Sequence, residues 1–157
     1  MRVGCDVVDV ARFARVLERR AEMRTRLFTP HELRDAVRGG VGVGSQVEMD
    51  RLAARFAAKE AARKALRNLR MAFHDTEVRI TEAGAPMLWI RGAPSQLSVS
   101  MSHDAGIAMA VVVGPPDADG AAANPLGQPR GHDADDLRDA HDPDDTHDPP
   151  PPEGNPQ

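Results

Sequence analysis

A chain of 157 residues with 20 basic and 24 acidic side chains has a formal charge of −4, and its one cysteine, Cys5, excludes an internal disulfide and a thiolate zinc cluster. The charge is unevenly spread: residues 1–116 hold 18 basic and 13 acidic residues, a balance of +5, whereas residues 117–157 hold two and 11, a balance of −9. No window approaches the roughly 20 apolar residues of a membrane span, and four Phe, one Trp and no Tyr leave few rings for stacking bases, which disfavours nucleic acid as a partner.

A basic body suits an acidic protein or a phosphorylated small molecule. From Asp117 onward Pro, Asp, Gly, His and Ala dominate, so the sequence reads as one folded domain over 1–116 followed by a disordered acidic tail over 117–157. His132, His141 and His147 each precede an Asp in that tail, but spacing without a fold makes a poor metal site. No basic stretch leads into a long apolar run at the start, and the expected location is the cytoplasm.

In chain order, Val3, Cys5 and Val7 alternate with Gly4 and Asp6, the period of a strand with one buried face. On this reading Cys5 is a small buried hydrophobe and Asp6 points away from the buried side. Val10, Phe13, Ala14 and Leu17 then follow the apolar stripe of a helix, with Arg12, Arg15 and Arg19 on a second stripe. Thr29 before Pro30 caps a second, short helix. The Gly-rich run over 39–45 follows a helix rather than a strand and lacks a closing Gly-Lys-Ser/Thr, so it reads as a connector. An alanine-rich stretch from about Asp50 to Leu69, free of Gly and Pro, predicts a long helix. Val78 and Ile80, with Leu88 and Ile90, bracket Gly84-Ala85-Pro86 as a hairpin; Leu97, Val99 and Met101 form a strand turning at Asp104-Ala105-Gly106 into a return strand over 107–113. The expected fold class is α+β, a single domain with an antiparallel sheet packed on a long helix.

The only two lysines, Lys59 and Lys64, both lie in the long helix, in a chain that otherwise writes arginine for permanent positive charge. Glu60 precedes Lys64 by four residues, which by spacing alone is an ordinary helix ion pair. Asp6 alone is a strand-end cap, and His103 beside Asp104 a turn residue. Consecutive Ser102, His103 and Asp104 alternate between strand faces, which argues against a hydrolase triad.

Taken together, Gly4-x-Asp6 with Arg12, the helix segment Arg55-Phe56-Ala57-Ala58-Lys59-Glu60-Ala61-x-x-Lys64-Ala65, Asp75-Thr76-Glu77-Val78 and Ser102-His103-Asp104 closely resemble the holo-acyl-carrier-protein synthase family, over residues 2–113. These are the short, single-domain bacterial 4′-phosphopantetheinyl transferases. The resemblance implies transfer of phosphopantetheine from coenzyme A to a serine of an apo acyl carrier protein, with Mg²⁺ as cofactor and a homotrimer with active sites between subunits. It makes Asp6 and Glu60 the metal ligands, and Lys64 the cation on the pyrophosphate. The base is Glu60 or a metal-bound water. Arg55 and His103 become coenzyme A contacts, and Arg12, with Arg15 and Arg19 on its stripe, meets the acidic carrier protein. Many family members turn through a Gly-Thr-Gly-like segment after this helix, where this chain has Arg67-Asn68-Leu69-Arg70. That departure leaves one alternative, a non-catalytic paralogue that binds carrier protein through the arginine helix.

Overall fold

The computed structural model describes residues 1–116; the expected disordered tail over 117–157 lies outside the described residues. Strand β1 (Arg2–Asp9) runs directly into helix α1 (Val10–Arg19), where the Asp9 carboxylate accepts from the Arg12 amide at 2.8 Å and caps the first turn. A short helix that the sequence reading did not anticipate, α2 (Glu22–Leu27), buries Met23 and Leu27. Helix α3 (Pro30–Ala36) starts as expected, with a full capping box between Thr29 and Glu32. Helix α4 spans Gln46–Ala65, about four residues earlier at each end than the sequence suggested. Ser45 is its cap, and Glu48 accepts from the Gly44 amide at 2.6 Å, so the end of the glycine run is itself the start signal. A single 3-10 turn (Phe73–Asp75) leads into β2 (Thr76–Ile80), β3 (Pro86–Ile90), the two-residue β4 (Ala93–Pro94), β5 (Ser98–Asp104) and β6 (Ile107–Gly114).

The strands form two three-stranded antiparallel sheets, ordered β1-β6-β5 and β2-β3-β4, rather than one. The first and last strands of the described residues meet, because β1 pairs with β6 along its whole length, from Arg2 opposite Gly114 to Asp9 opposite Ile107. Helix α4 lies across the first sheet with a seam of buried alanines at 53, 54, 57, 58, 61, 62 and 65. Small side chains permit close approach, and closest contact falls at Gly4, where an added Cβ would lie 2.1 Å from the Ala61 carbonyl oxygen. Glycine at position 4 is therefore dictated by packing.

The alternation expected for β1 is present with its faces exchanged. Gly4, Asp6 and Val8 face α4, while Val3, Cys5 and Val7 are exposed, so Cys5 is not the buried hydrophobe that composition suggested. The hydrophobic run lost the inner face because only glycine fits beneath the helix.

The core holds an ion pair that fixes the ends of several elements. Lys59 and Glu32 have fully buried side chains with Nζ 2.6 Å from Oε2. Lys59 also donates to the carbonyls of Leu27 (2.7 Å) and Phe73 (3.1 Å), and Glu32 accepts from the amides of Thr29 and Val78, both at 2.9 Å. All four phenylalanines, Phe13, Phe28, Phe56 and Phe73, join one ring cluster beside this pair. Phe13, Phe28 and Phe73 are buried and Phe56 is half-buried.

Candidate active site

Two of the expected site residues meet where β1 crosses α4. The Lys64 ammonium lies 2.7 Å from Asp6 Oδ1 and donates to the Cys5 carbonyl at 3.0 Å. Asp6 is on the inner face of β1, two residues from the Gly4 contact that draws α4 against the strand. Its side chain is 17% exposed and that of Lys64 39%. An ammonium has three donors, and two are used here, which leaves one for a further oxygen. Glu60, one turn before Lys64 on α4, has a side chain 13% exposed and accepts from Arg63 at 2.9 Å.

Asp6 and Glu60 are both hard, partly buried carboxylates on adjoining elements. Among the described residues no group of three or more His, Cys, Asp or Glu side chains could enclose a metal ion. Two carboxylates with room left for phosphate and water are the donor set Mg²⁺ favours, in contrast to a closed protein cage.

Arg55 and His103 come together elsewhere, in a cleft of about 290 Å³ whose lining also includes Asp35, Arg38, Arg51 and Met101 but none of Asp6, Glu60 and Lys64. Arg55 and Glu60 are about 140° apart around α4, which puts the two groups on different flanks of one helix. Arg55 is 4% exposed and paired with Asp35, and burial lowers its pKa from the usual arginine value against the pull of that carboxylate. Arg51 donates to the carbonyls of Ala36 (3.0 Å) and Arg38 (2.9 Å), fixing the end of α3 against α4. His103 pairs across to Ala108, while Ser102 and Asp104 sit opposite Met109 and Ile107 on the outer face. The three consecutive residues are thus split between faces.

Arg12, Arg15 and Arg19 are exposed on α1, whose opposite stripe of Val10, Phe13 and Leu17 is buried. The turn after α4 retains a glycine-type geometry without glycine. Arg67 adopts φ 53°, its amide bonds the Lys64 carbonyl at 3.1 Å, and the Asn68 amide bonds the Arg63 carbonyl at 3.0 Å. This is a Schellman end with arginine in the left-handed position, at a cost of about 1 kcal/mol. The sequence reading overlooked Arg63, which the i, i+3 spacing from Glu60 could have flagged, and Arg38 and Arg51, whose convergence depends on the fold.

A family model for the 4′-phosphopantetheinyl transferase superfamily matches residues 2–112. The holo-[acyl-carrier-protein] synthase of Beutenbergia cavernae is 46% identical over 121 residues, covering 71% of this chain and 94% of that protein. Among solved structures, the Helicobacter pylori holo-[acyl-carrier-protein] synthase in complex with coenzyme A aligns with a TM-score of 0.59 at 28% identity, covering 71% of this chain and 97% of that one. The Bacillus anthracis holo-(acyl-carrier-protein) synthase in complex with CoA (3′,5′-ADP) aligns with a TM-score of 0.60 at 30% identity, covering 71% and 92%. The superfamily match over almost the whole described body, with close relatives of nearly the same matched length, shows that this chain belongs to the holo-[acyl-carrier-protein] synthase family of 4′-phosphopantetheinyl transferases.

Proposed function

We propose that this chain transfers 4′-phosphopantetheine from coenzyme A to a serine hydroxyl of an apo acyl carrier protein and releases adenosine 3′,5′-bisphosphate. The observation that carries the reading is the Asp6–Lys64 ion pair at the β1–α4 crossing, with Glu60 one turn before Lys64 on the same helix, in a chain 46% identical to a named synthase. The serine oxygen forms a bond to the pantetheine-bearing phosphorus, the bond from that phosphorus to the bridging oxygen breaks, and the serine proton leaves to a base. Charge accumulates on the phosphoryl oxygens and the departing nucleotide. Lys64 keeps one donor for those oxygens, and its partly exposed ammonium is held in place by Asp6 and the Cys5 carbonyl. Glu60 accepts the proton directly or through a bound water.

Asp6 and Glu60 would hold Mg²⁺, which when bound supplies positive charge to the pyrophosphate oxygens. Arg55 and His103, with Arg38 beside them, form a basic wall suited to the nucleotide's 3′-phosphate. Release of adenosine 3′,5′-bisphosphate, followed chromatographically, should require both coenzyme A and apo carrier protein. Bound but uncleaved coenzyme A would instead favour the non-catalytic paralogue, although the retained Schellman end removes the distorted turn as its physical basis.

The exposed arginines of α1 suit an acidic carrier protein, since complementary charge steers encounter and fixes orientation. Arg12→Glu should raise the KM for carrier protein about tenfold while the Kd for coenzyme A stays within about twofold; equal losses in both, by steady-state kinetics and calorimetry, would contradict the assignment.

The outer face of the β1-β6-β5 sheet supports the proposed assembly. Val3 (59% exposed), Val7 (60%), Ile107 (42%) and Met109 (45%) present a contiguous apolar surface there, with Val7 directly opposite Met109. Such patches mark interfaces, and a homotrimer would cover this one and let one subunit's cleft face a neighbour's Asp6, Glu60 and Lys64. Val7→Asp should weaken assembly at least tenfold, by roughly 1.4 kcal/mol or more, and sedimentation should then show monomers with lost transfer activity. An unchanged sedimentation coefficient would refute the interface. With no helix of the described residues able to cross a membrane, a cytoplasmic site of action fits coenzyme A and carrier protein as substrates.

A further inference from the structure

Asp35 is the one carboxylate among the described residues that line the cleft of Arg55 and His103, where it stands beside three arginines. It lies in the last turn of α3, where the helix dipole disfavours an acid, and its side chain is only 11% exposed. A negative charge here also opposes the phosphate that the cleft is proposed to take. Two local penalties at one position call for an offsetting role.

The contacts of Asp35 supply one. Its Oδ2 pairs with Arg55 Nη2 and its Oδ1 lies 3.6 Å from Arg38 Nε, so each oxygen pairs with a different guanidinium. Arg55 Nη1 donates to the Arg51 carbonyl at 3.1 Å, and the Arg51 side chain in turn ties down the carbonyls of Ala36 and Arg38. Arg55 is thus held at both terminal nitrogens, while its Nε is buried with no hydrogen-bond partner. A guanidinium recognises phosphate through the placement of its planar fork, and a fork free to swing loses that advantage. We infer that Asp35 is a positioning residue that sets Arg55, and through its other oxygen Arg38, for the nucleotide's 3′-phosphate, so that the cleft discriminates coenzyme A from 3′-dephospho-coenzyme A. The inference rests on the proposed reading of this cleft as the 3′-phosphate site.

The test is calorimetric titration of the full chain, without carrier protein, with coenzyme A and separately with 3′-dephospho-coenzyme A. In Asp35→Asn the ratio of the Kd for 3′-dephospho-coenzyme A to the Kd for coenzyme A should fall by about fivefold or more, because one neutral acceptor replaces two charged ones. Simple removal of a negative charge works in the opposite direction and would raise that ratio, and a merely structural role would weaken both ligands equally. A raised or unchanged ratio therefore overturns the inference. Asp35→Glu keeps the counter-charge that the buried Arg55 needs and moves the carboxylate by one methylene, so it decides the matter if the Asn variant does not fold. Its ratio should fall by about threefold or more, and an unchanged ratio again contradicts positioning. Equal affinity of the parent chain for the two ligands, or a ratio unaltered in Arg55→Met, would overturn the phosphate site itself together with the inference.

Discussion

Glu60→Gln is expected to fold normally and to lower kcat for phosphopantetheine transfer by about 10²–10⁴-fold, the range associated with losing a positioned acid–base group. The amide retains the shape of the side chain and an acceptor for Arg63, so the melting temperature should fall by only about 2–5 °C. The carboxylate's charge is what disappears, and with it the capacity to accept a proton or ligate a cation. Steady-state kinetics with matched thermal melts check this, and turnover within about threefold of the parent would remove Glu60 from the chemistry.

Lys59→Met has the opposite character, a large effect on stability through a residue adjacent to Glu60 that never reaches the site. Burial lowers the Lys59 pKa from its ordinary value while the Glu32 carboxylate opposes the shift, and both side chains are fully enclosed. Removing the ammonium leaves Glu32 charged in the interior and two carbonyls, those of Leu27 and Phe73, without their donor. The expected cost is about 3–5 kcal/mol in chemical denaturation. Adding Glu32→Gln should recover part of the loss, because a neutral amide needs no counter-charge yet still accepts from the Thr29 or Val78 amide. A single variant as stable as the parent would show that the pair does not hold α4 against α3 and the 3-10 turn.

Lys59 and Lys64, which the sequence grouped together, are separated by the fold. Lysine is rare in this chain, and both copies lie on α4, so their shared helix suggested one site. The structure assigns them different tasks: Lys59 turns inward to the ion pair with Glu32, and Lys64 emerges at the strand crossing beside Asp6. Five residues advance a helix by about 140° beyond a full turn, enough to move a side chain from core to surface.

Local signals were legible wherever they were short in range. The Thr29–Glu32 capping box, the stripe of α1 and the hairpin around Gly84 all follow from spacing over a few residues. The start of α4 was also written locally, as Ser45 followed three residues later by Glu48, but the preceding glycines drew attention to a break instead of a cap. Helix α2 has only Met23 and Leu27 as an apolar signature, too brief a pattern to register as a helix.

What remained illegible depends on partners distant in sequence. Which face of β1 is buried is decided by α4 packing on Gly4, some 57 residues on, and alternation cannot reveal a partner's position. The split into two sheets likewise depends on β6 returning to pair with β1 while β2 and β3 pair with each other. For the candidate site, motif order singled out Asp6, Glu60 and Lys64 as the residues to propose, but the contact of Asp6 with Lys64 and the placing of Arg55 and His103 in a cleft apart from them needed coordinates. The same holds for the exposed face of Val3, Val7, Ile107 and Met109, whose residues are joined only by strand pairing.

The central claim is group transfer, and the intact mass of an apo acyl carrier protein after incubation with this chain, coenzyme A and Mg²⁺ tests it most directly. The account predicts a gain of one phosphopantetheine that is absent when EDTA is present or Glu60→Gln replaces the parent chain. No gain on any of several carrier proteins, despite measured coenzyme A binding, would contradict it.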